Sequence, residues 1–188
     1  MIKHTPDMNS KCESTPVKKR LNLPLLILVV VTLTGFTIRA AYIEETVIKS
    51  PIRADARQYV IYALNLINHK TFSVEYPSDS PTPDSFRSPG YPAFISLALL
   101  MSGEKYYQAI QYSQVLLSTL MIPVTYLLGT AFLPLWGALT AAFLVAFSPH
   151  LVTSASYVLT ETLFGTLLTV ALLLFSLAIG RSKRSLFV

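Results

Sequence analysis

The chain has 188 residues, 52% of them hydrophobic and 13% charged, with a net charge of +5 and a mean hydropathy of +0.51. Such a composition favours a bilayer as solvent over a large water-facing domain. The positive charge does not indicate nucleic acid, because the basic residues do not interleave with aromatics along any polar stretch. They cluster instead at Lys18, Lys19 and Arg20 and at Arg181, Lys183 and Arg184, beside apolar runs, as cytoplasmic flanks of membrane helices do. Cys12 is the single cysteine, which rules out an intrachain disulfide and a cysteine metal cluster.

Residues 1–20 form a polar, basic tail. The apolar stretch after it is too long for a signal-peptide core and lacks a small-x-small cleavage site, so it reads as a retained signal-anchor. Residues 21–42 are the first expected span, with Pro24 near the entry, Arg39 able to snorkel from the exit and Tyr42 at the interface. The basic tail puts the start of this span in the cytoplasm and residues 43–105 outside. Within that loop, residues 56–68 carry Val60, Ile61, Leu64 and Ile67 at helical spacing, which predicts a short helix on the membrane surface.

Pro77, Pro81, Pro83, Pro89 and Pro92 then exclude a regular helix and predict an extended, folded-over loop. The apolar run 91–101 is too short to span and predicts a second juxtamembrane or re-entrant helix, tolerated only if other protein packs on it. Three further spans are expected at 106–131, kinked at Pro123, at 135–148, closed by Ser148-Pro149, and at 162–180, followed by a cytoplasmic end at 181–188. The fold class is therefore an all-α membrane protein with about four transmembrane helices plus two juxtamembrane helices in a long first external loop. The third span is a few residues short of the ~20 a bilayer requires.

Asp55 precedes the first loop helix, and Tyr59, four residues on, shares its helical face. An aspartate there fits an N-cap accepting backbone N–H bonds. The functional reading beside it is a carboxylate at the water–lipid boundary that takes a proton from an attacking hydroxyl, and one residue can be both cap and base. Arg53 and Arg57 flank it, cations that pair with carboxylate, phosphate or lipid headgroups. Arg87 opens the run Arg-Ser-Pro-Gly-Tyr-Pro, where Gly90 permits a turn. Glu161 stands at the outer end of the fourth span, where an acid is either a functional group or an interfacial cap. His150 reads as a solvated loop residue. No Gly-rich phosphate loop, HExxH, paired CxxC or nucleophile elbow is present, so ATP hydrolysis, metalloproteolysis and serine hydrolysis have little support.

Four stretches in order, Asp55-Ala-Arg-Gln-Tyr59, Ala63-Leu-Asn-Leu-Ile67, Arg87-Ser-Pro-Gly-Tyr-Pro92, and Ser148-Pro149 with Tyr157-Val-Leu-Thr-Glu161, carry a family likeness. The chain resembles the N-terminal portion of GT-C type membrane glycosyltransferases, the family-39-like group related to protein O-mannosyltransferases and lipid A aminoarabinose transferases. The resemblance implies that Asp55 is the catalytic base and that a polyprenyl-phosphate sugar is the donor. A glycolipid, polysaccharide or protein hydroxyl would be the acceptor, attacking with inversion and no covalent enzyme intermediate. Arg53, Arg57, Tyr59, Arg87, Tyr91 and Glu161 are the candidate substrate-binding residues around Asp55. No cofactor and no metal ligand are expected.

The sequence departs from the family pattern in two respects. Ala56 stands where many relatives carry a second acid, which leaves acceptor activation to Asp55 alone. The family also has many more spans and a C-terminal soluble part, so a truncated or split reading frame, or a fragment, is expected, with activity requiring the missing part. Two other classes compete with the enzyme. A non-catalytic small membrane protein, such as a lipid-linked sugar translocation or assembly subunit, would not need so long a loop. A transporter with Glu161 on a proton path would need a matched charged partner across a cavity, and none is evident.

Overall fold

A computed structural model describes residues 23–46, 54–101 and 106–185, the side chains of 106 and 181–185 excepted. The expectations for the basic tail, Arg53 and the basic C-terminal flank lie outside the described residues and side chains. Seven helices and no strand are found among the described residues: α1 Leu23–Glu45, α2 Asp55–Asn68, α3 Gly90–Leu100, α4 Tyr106–Gly129, α5 Leu135–Phe147, α6 Pro149–Ser154 and α7 Glu161–Ser185.

Three of them, over Leu23–Glu45, Tyr107–Gly129 and Glu161–Gly180, are long and apolar enough to cross a membrane. Helix α5, expected as a fourth span, has only 13 residues, about 20 Å at 1.5 Å per residue against a hydrocarbon core of ~30 Å. Its end is dictated locally. The residue before a proline is pushed out of the helical region, and Ser148 duly adopts φ −65°, ψ 115° ahead of Pro149. The proline, having no N–H to satisfy, then opens the short α6 in place of the loop expected around His150.

Helices α1, α4 and α5 form the bundle core around Leu28, Ile122, Leu139, Ala142 and Ala146. Lipid tails are as apolar as leucine, so such helices gain from close backbone approach through small residues rather than from leaving water. A Cβ on Gly35 would stand 2.5 Å from Ile122 Cδ1 and 3.3 Å from Ala146 Cβ, and one on Gly129 3.1 Å from Ala138 Cα. Helix α7 lies along α4, where Thr166 Oγ1 donates to Leu117 O at 3.3 Å. Most of its apolar surface, including Phe164, Leu167, Leu174 and Phe175, is exposed. Pro123 lies inside α4 without ending it.

Arg39 does not snorkel. It is fully buried, and its guanidinium donates to Ser118 Oγ (2.8 Å), to Gly35 O and Ala146 O (2.9 Å each) and to Val145 O (3.0 Å). The reason is the premature end of α5, whose last carbonyls have no intrahelical donor.

A second layer closes one end of the bundle. The stripe of α2 expected on a membrane surface is covered by protein instead: Tyr59, Val60 and Ala63 pack with Tyr91, Ile95, Ala98 and Leu99 of α3, and with Ile110 and Val158. Leu64 and Ile67 lie against the same cluster. The other face of α2 is covered by the irregular segment 71–89. Tyr62 stacks on Phe72 and donates to Asp84 Oδ1, and Asn65 Nδ2 donates to both Ser73 O and Glu75 O at 2.9 Å. Asp84 Oδ2 accepts from the Val74 N–H at 2.7 Å. The loop is thus a folded unit, as the prolines predict.

Candidate functional site

The site begins at the first turn of α2. Ala54, which precedes it, has φ 51° and ψ −125°, a conformation that side chains disfavour. Asp55 is the first helical residue, one position inside the N-cap Ala54, so it is not the N-cap its place in the sequence suggests. Its carboxylate is paired instead with Arg87, 32 residues away in the chain. Arg87 Nε donates to Gln58 Oε1 at 2.6 Å, and its guanidinium carbon lies 5.4 Å from the centre of the Tyr59 ring. One arginine therefore holds three residues of the α2 N-terminus: an ion, an amide and an aromatic face.

The aromatic contact carries the arrangement inward. Tyr59 meets Tyr91 edge-on at 5.1 Å, and Phe94 stacks beside Tyr91 at 5.9 Å. Tyr91 is buried and donates its hydroxyl to Gln114 Oε1 at 2.8 Å. Burial, with the negative charge of Glu161 second, pushes the Tyr91 hydroxyl well above the usual phenol range, so it remains a donor. Gln114 Nε2 in turn donates to Tyr157 O (2.8 Å) and Ala155 O (3.3 Å), and Gln111 Nε2 to Ser156 O (3.2 Å). Two glutamines of α4 thereby satisfy the carbonyls of the non-helical link between α6 and α7, which a bilayer would leave without partners.

That link delivers Glu161 to a cleft. Two adjoining cavities, of about 90 Å³ and about 260 Å³, share His150, Ser154 and Glu161 in their walls. Ser118, Met121, Leu151 and Thr162 complete the smaller, and Thr153, Tyr157 and Leu159 the larger. Thr162 is buried and its hydroxyl has no hydrogen-bond partner among the described residues. The cleft thus presents a carboxylate, an imidazole and hydroxyls beside apolar walls.

Of the residues proposed from sequence, the fold brings Asp55, Tyr59, Arg87 and Tyr91 into one contact chain, with Glu161 in electrostatic reach of Tyr91. Arg57 is exposed and forms no ion pair among the described residues. His150 is exposed, as expected, yet lines the cleft. Sequence reasoning missed Gln111, Gln114, Asn65 and Asp84. The two glutamines had a readable signal, since polar amides inside a membrane-length helix demand partners. Asp84, within a proline-rich stretch, had none. No group of three His, Cys, Asp or Glu side chains suited to a metal exists among the described residues.

The fold thus defines the class: an all-helical protein with three helices long and apolar enough to cross a membrane. Neither known family models, nor curated proteins, nor solved structures match the chain.

Proposed function

We propose that the chain is a membrane glycosyltransferase, or the N-terminal portion of one, that moves a sugar from a polyprenyl-phosphate donor to a hydroxyl acceptor with inversion. In this reading it is a multi-pass protein of a bacterial inner membrane with cytoplasmic termini, α5 and α6 together returning the chain to the outer side between α4 and α7, and α2, α3 and loop 71–89 face the periplasm. Asp55 accepts the proton of the acceptor hydroxyl as its oxygen attacks the anomeric carbon. The bond from that carbon to the phosphate oxygen breaks, and polyprenyl phosphate leaves. Arg87 and the flanking Arg57 and Arg53 supply positive charge for the phosphate. Tyr59 and Tyr91 offer ring faces and a hydroxyl to the sugar, and Glu161 with its cleft holds or orients the substrate.

The observation that supports this reading best is the contact between Asp55 and Arg87, two stretches that carry the family likeness and are remote in sequence. The test is sugar transfer from a radiolabelled polyprenyl-phosphate donor in membranes carrying the encoded protein. Asp55→Asn is expected to lower transfer ~100-fold or more, the scale of a lost general base, with insertion unchanged; undiminished transfer would sink the assignment. The same contact favours one other reading, a purely structural clasp in a non-catalytic subunit. The double reversal Asp55→Arg with Arg87→Asp separates the two. Restored protease resistance of the loop with transfer still absent marks a catalytic Asp55, whereas a clasp is satisfied by either polarity and leaves the protein's cellular role intact.

A further inference from the structure

Arg39 is a full positive charge inside a bundle, and among the described residues it pairs with no carboxylate. Burying an ion that way is costly unless its donors are matched. Its acceptors are one hydroxyl and three carbonyls, two of them, Val145 O and Ala146 O, from the last turn of α5. Those carbonyls form the negative end of the α5 dipole, and no continuing helix donates to them because Pro149 interrupts the chain. A planar, multidentate guanidinium meets such divergent oxygens in a way a lysine ammonium does not.

Its fourth contact leads to the cleft. Ser118 Oγ accepts from Arg39 Nε at 2.8 Å and itself reaches Leu151 O at 3.4 Å. Ser118 and Leu151 both line the smaller cavity with His150, Ser154 and Glu161. Arg39 also precedes the last residue of α1, Glu45, by six positions, about 9 Å along the helix. The end of α5, whose Val145 and Ala146 carbonyls Arg39 holds, therefore meets α1 short of its last turn.

We propose that Arg39 is a positioning residue for the Glu161 cleft: by capping α5 and holding Ser118, it fixes where α5 stops and therefore where α6, His150 and Glu161 stand. The assignment does not depend on the reaction the protein performs. It identifies what holds the end of a 13-residue helix and the link that follows it inside the bundle, with Gln111 and Gln114 holding the link from the other side.

The test uses the full chain in membranes with Cys12→Ser, so that introduced cysteines are the only thiols. Ser154→Cys reports the cleft and Ser80→Cys the exposed loop, each labelled with a membrane-impermeant maleimide. Arg39→Met is expected to speed labelling at Ser154→Cys about ten-fold, the change that ~1.4 kcal/mol of lost local protection produces, and to leave Ser80→Cys unchanged. Arg39→Lys is expected to behave like Arg39→Met. Unchanged labelling at Ser154→Cys, an equal rise at both positions, or full rescue by Arg39→Lys would each overturn the proposal. Should Arg39→Met fail to accumulate, Ser118→Val decides by the same ratio: faster labelling at Ser154→Cys alone supports it, and no change overturns it.

Discussion

Asp84 shows how one side chain organises a segment with no secondary structure. It accepts hydrogen bonds from the Tyr62 hydroxyl and from the backbone N–H groups of Val74 and Phe86. Desolvation alone would raise its pKa, but these donors outweigh it and hold the carboxyl below its ordinary 3.8. The same contact, after desolvation, pushes the Tyr62 hydroxyl up to about 12. Glu75 is likewise held low, by the hydroxyl and N–H of Thr82. A carboxyl depressed in the folded state stabilises it above its ordinary pKa, and that contribution disappears as pH falls through the folded value. Limited proteolysis of segment 71–89 should therefore stay slow from about pH 7 to about pH 5 and accelerate below about pH 4. Asp84→Asn should show fast cleavage already at neutral pH. Asn65→Ala should have a similar local effect, since it deprives two carbonyls of their donors, at about 1–3 kcal/mol each where buried.

At the scale of helices, the bundle depends on how closely α1 approaches α4 and α5. Gly35 is where the three meet, with Ile122 Cδ1, Ala146 Cβ and the Arg39 guanidinium all within 3.3 Å of a hypothetical Cβ. Gly35→Ala is expected to destabilise by about 1–3 kcal/mol through overpacking, seen as a lower thermal midpoint in detergent. Ile122→Val removes the Cδ1 atom that would be met first, so the double variant should recover part of the loss. Full independence of the two substitutions would show that the helices do not meet there as described. Helices α2 and α3 obey a different logic. Their apolar stripes face each other, which is why α2 is sheltered from a membrane surface although its periodicity alone suggests one.

For the whole molecule, the question is whether the three long apolar helices lie in a bilayer. Trp136 is the single tryptophan and is exposed at the start of α5, the kind of residue that settles at a membrane–water boundary. In vesicles containing brominated lipids, its fluorescence should be quenched more by bromines near the headgroups than by bromines near the chain ends. Absence of quenching by either would contradict the membrane arrangement.

Helix positions and the loop's irregularity were legible in the sequence because each follows from local rules: 3.6-residue periodicity, runs of apolar residues, and prolines that forbid helix. Asp55, Tyr59 and Arg87 were legible as candidates, but their joining was not, since Asp55 and Arg87 lie 32 residues apart and read separately as a cap and a loop entry. The sequence by itself determined an all-helical, strongly apolar chain with a structured polar loop, through composition and short-range sterics. Only the tertiary structure decided that Asp55 pairs with Arg87, that Arg39 is turned inward, and that α2 is covered by α3. Those outcomes depend on which orphaned carbonyls, carboxylates and apolar faces meet in space, and no local pattern encodes such a meeting.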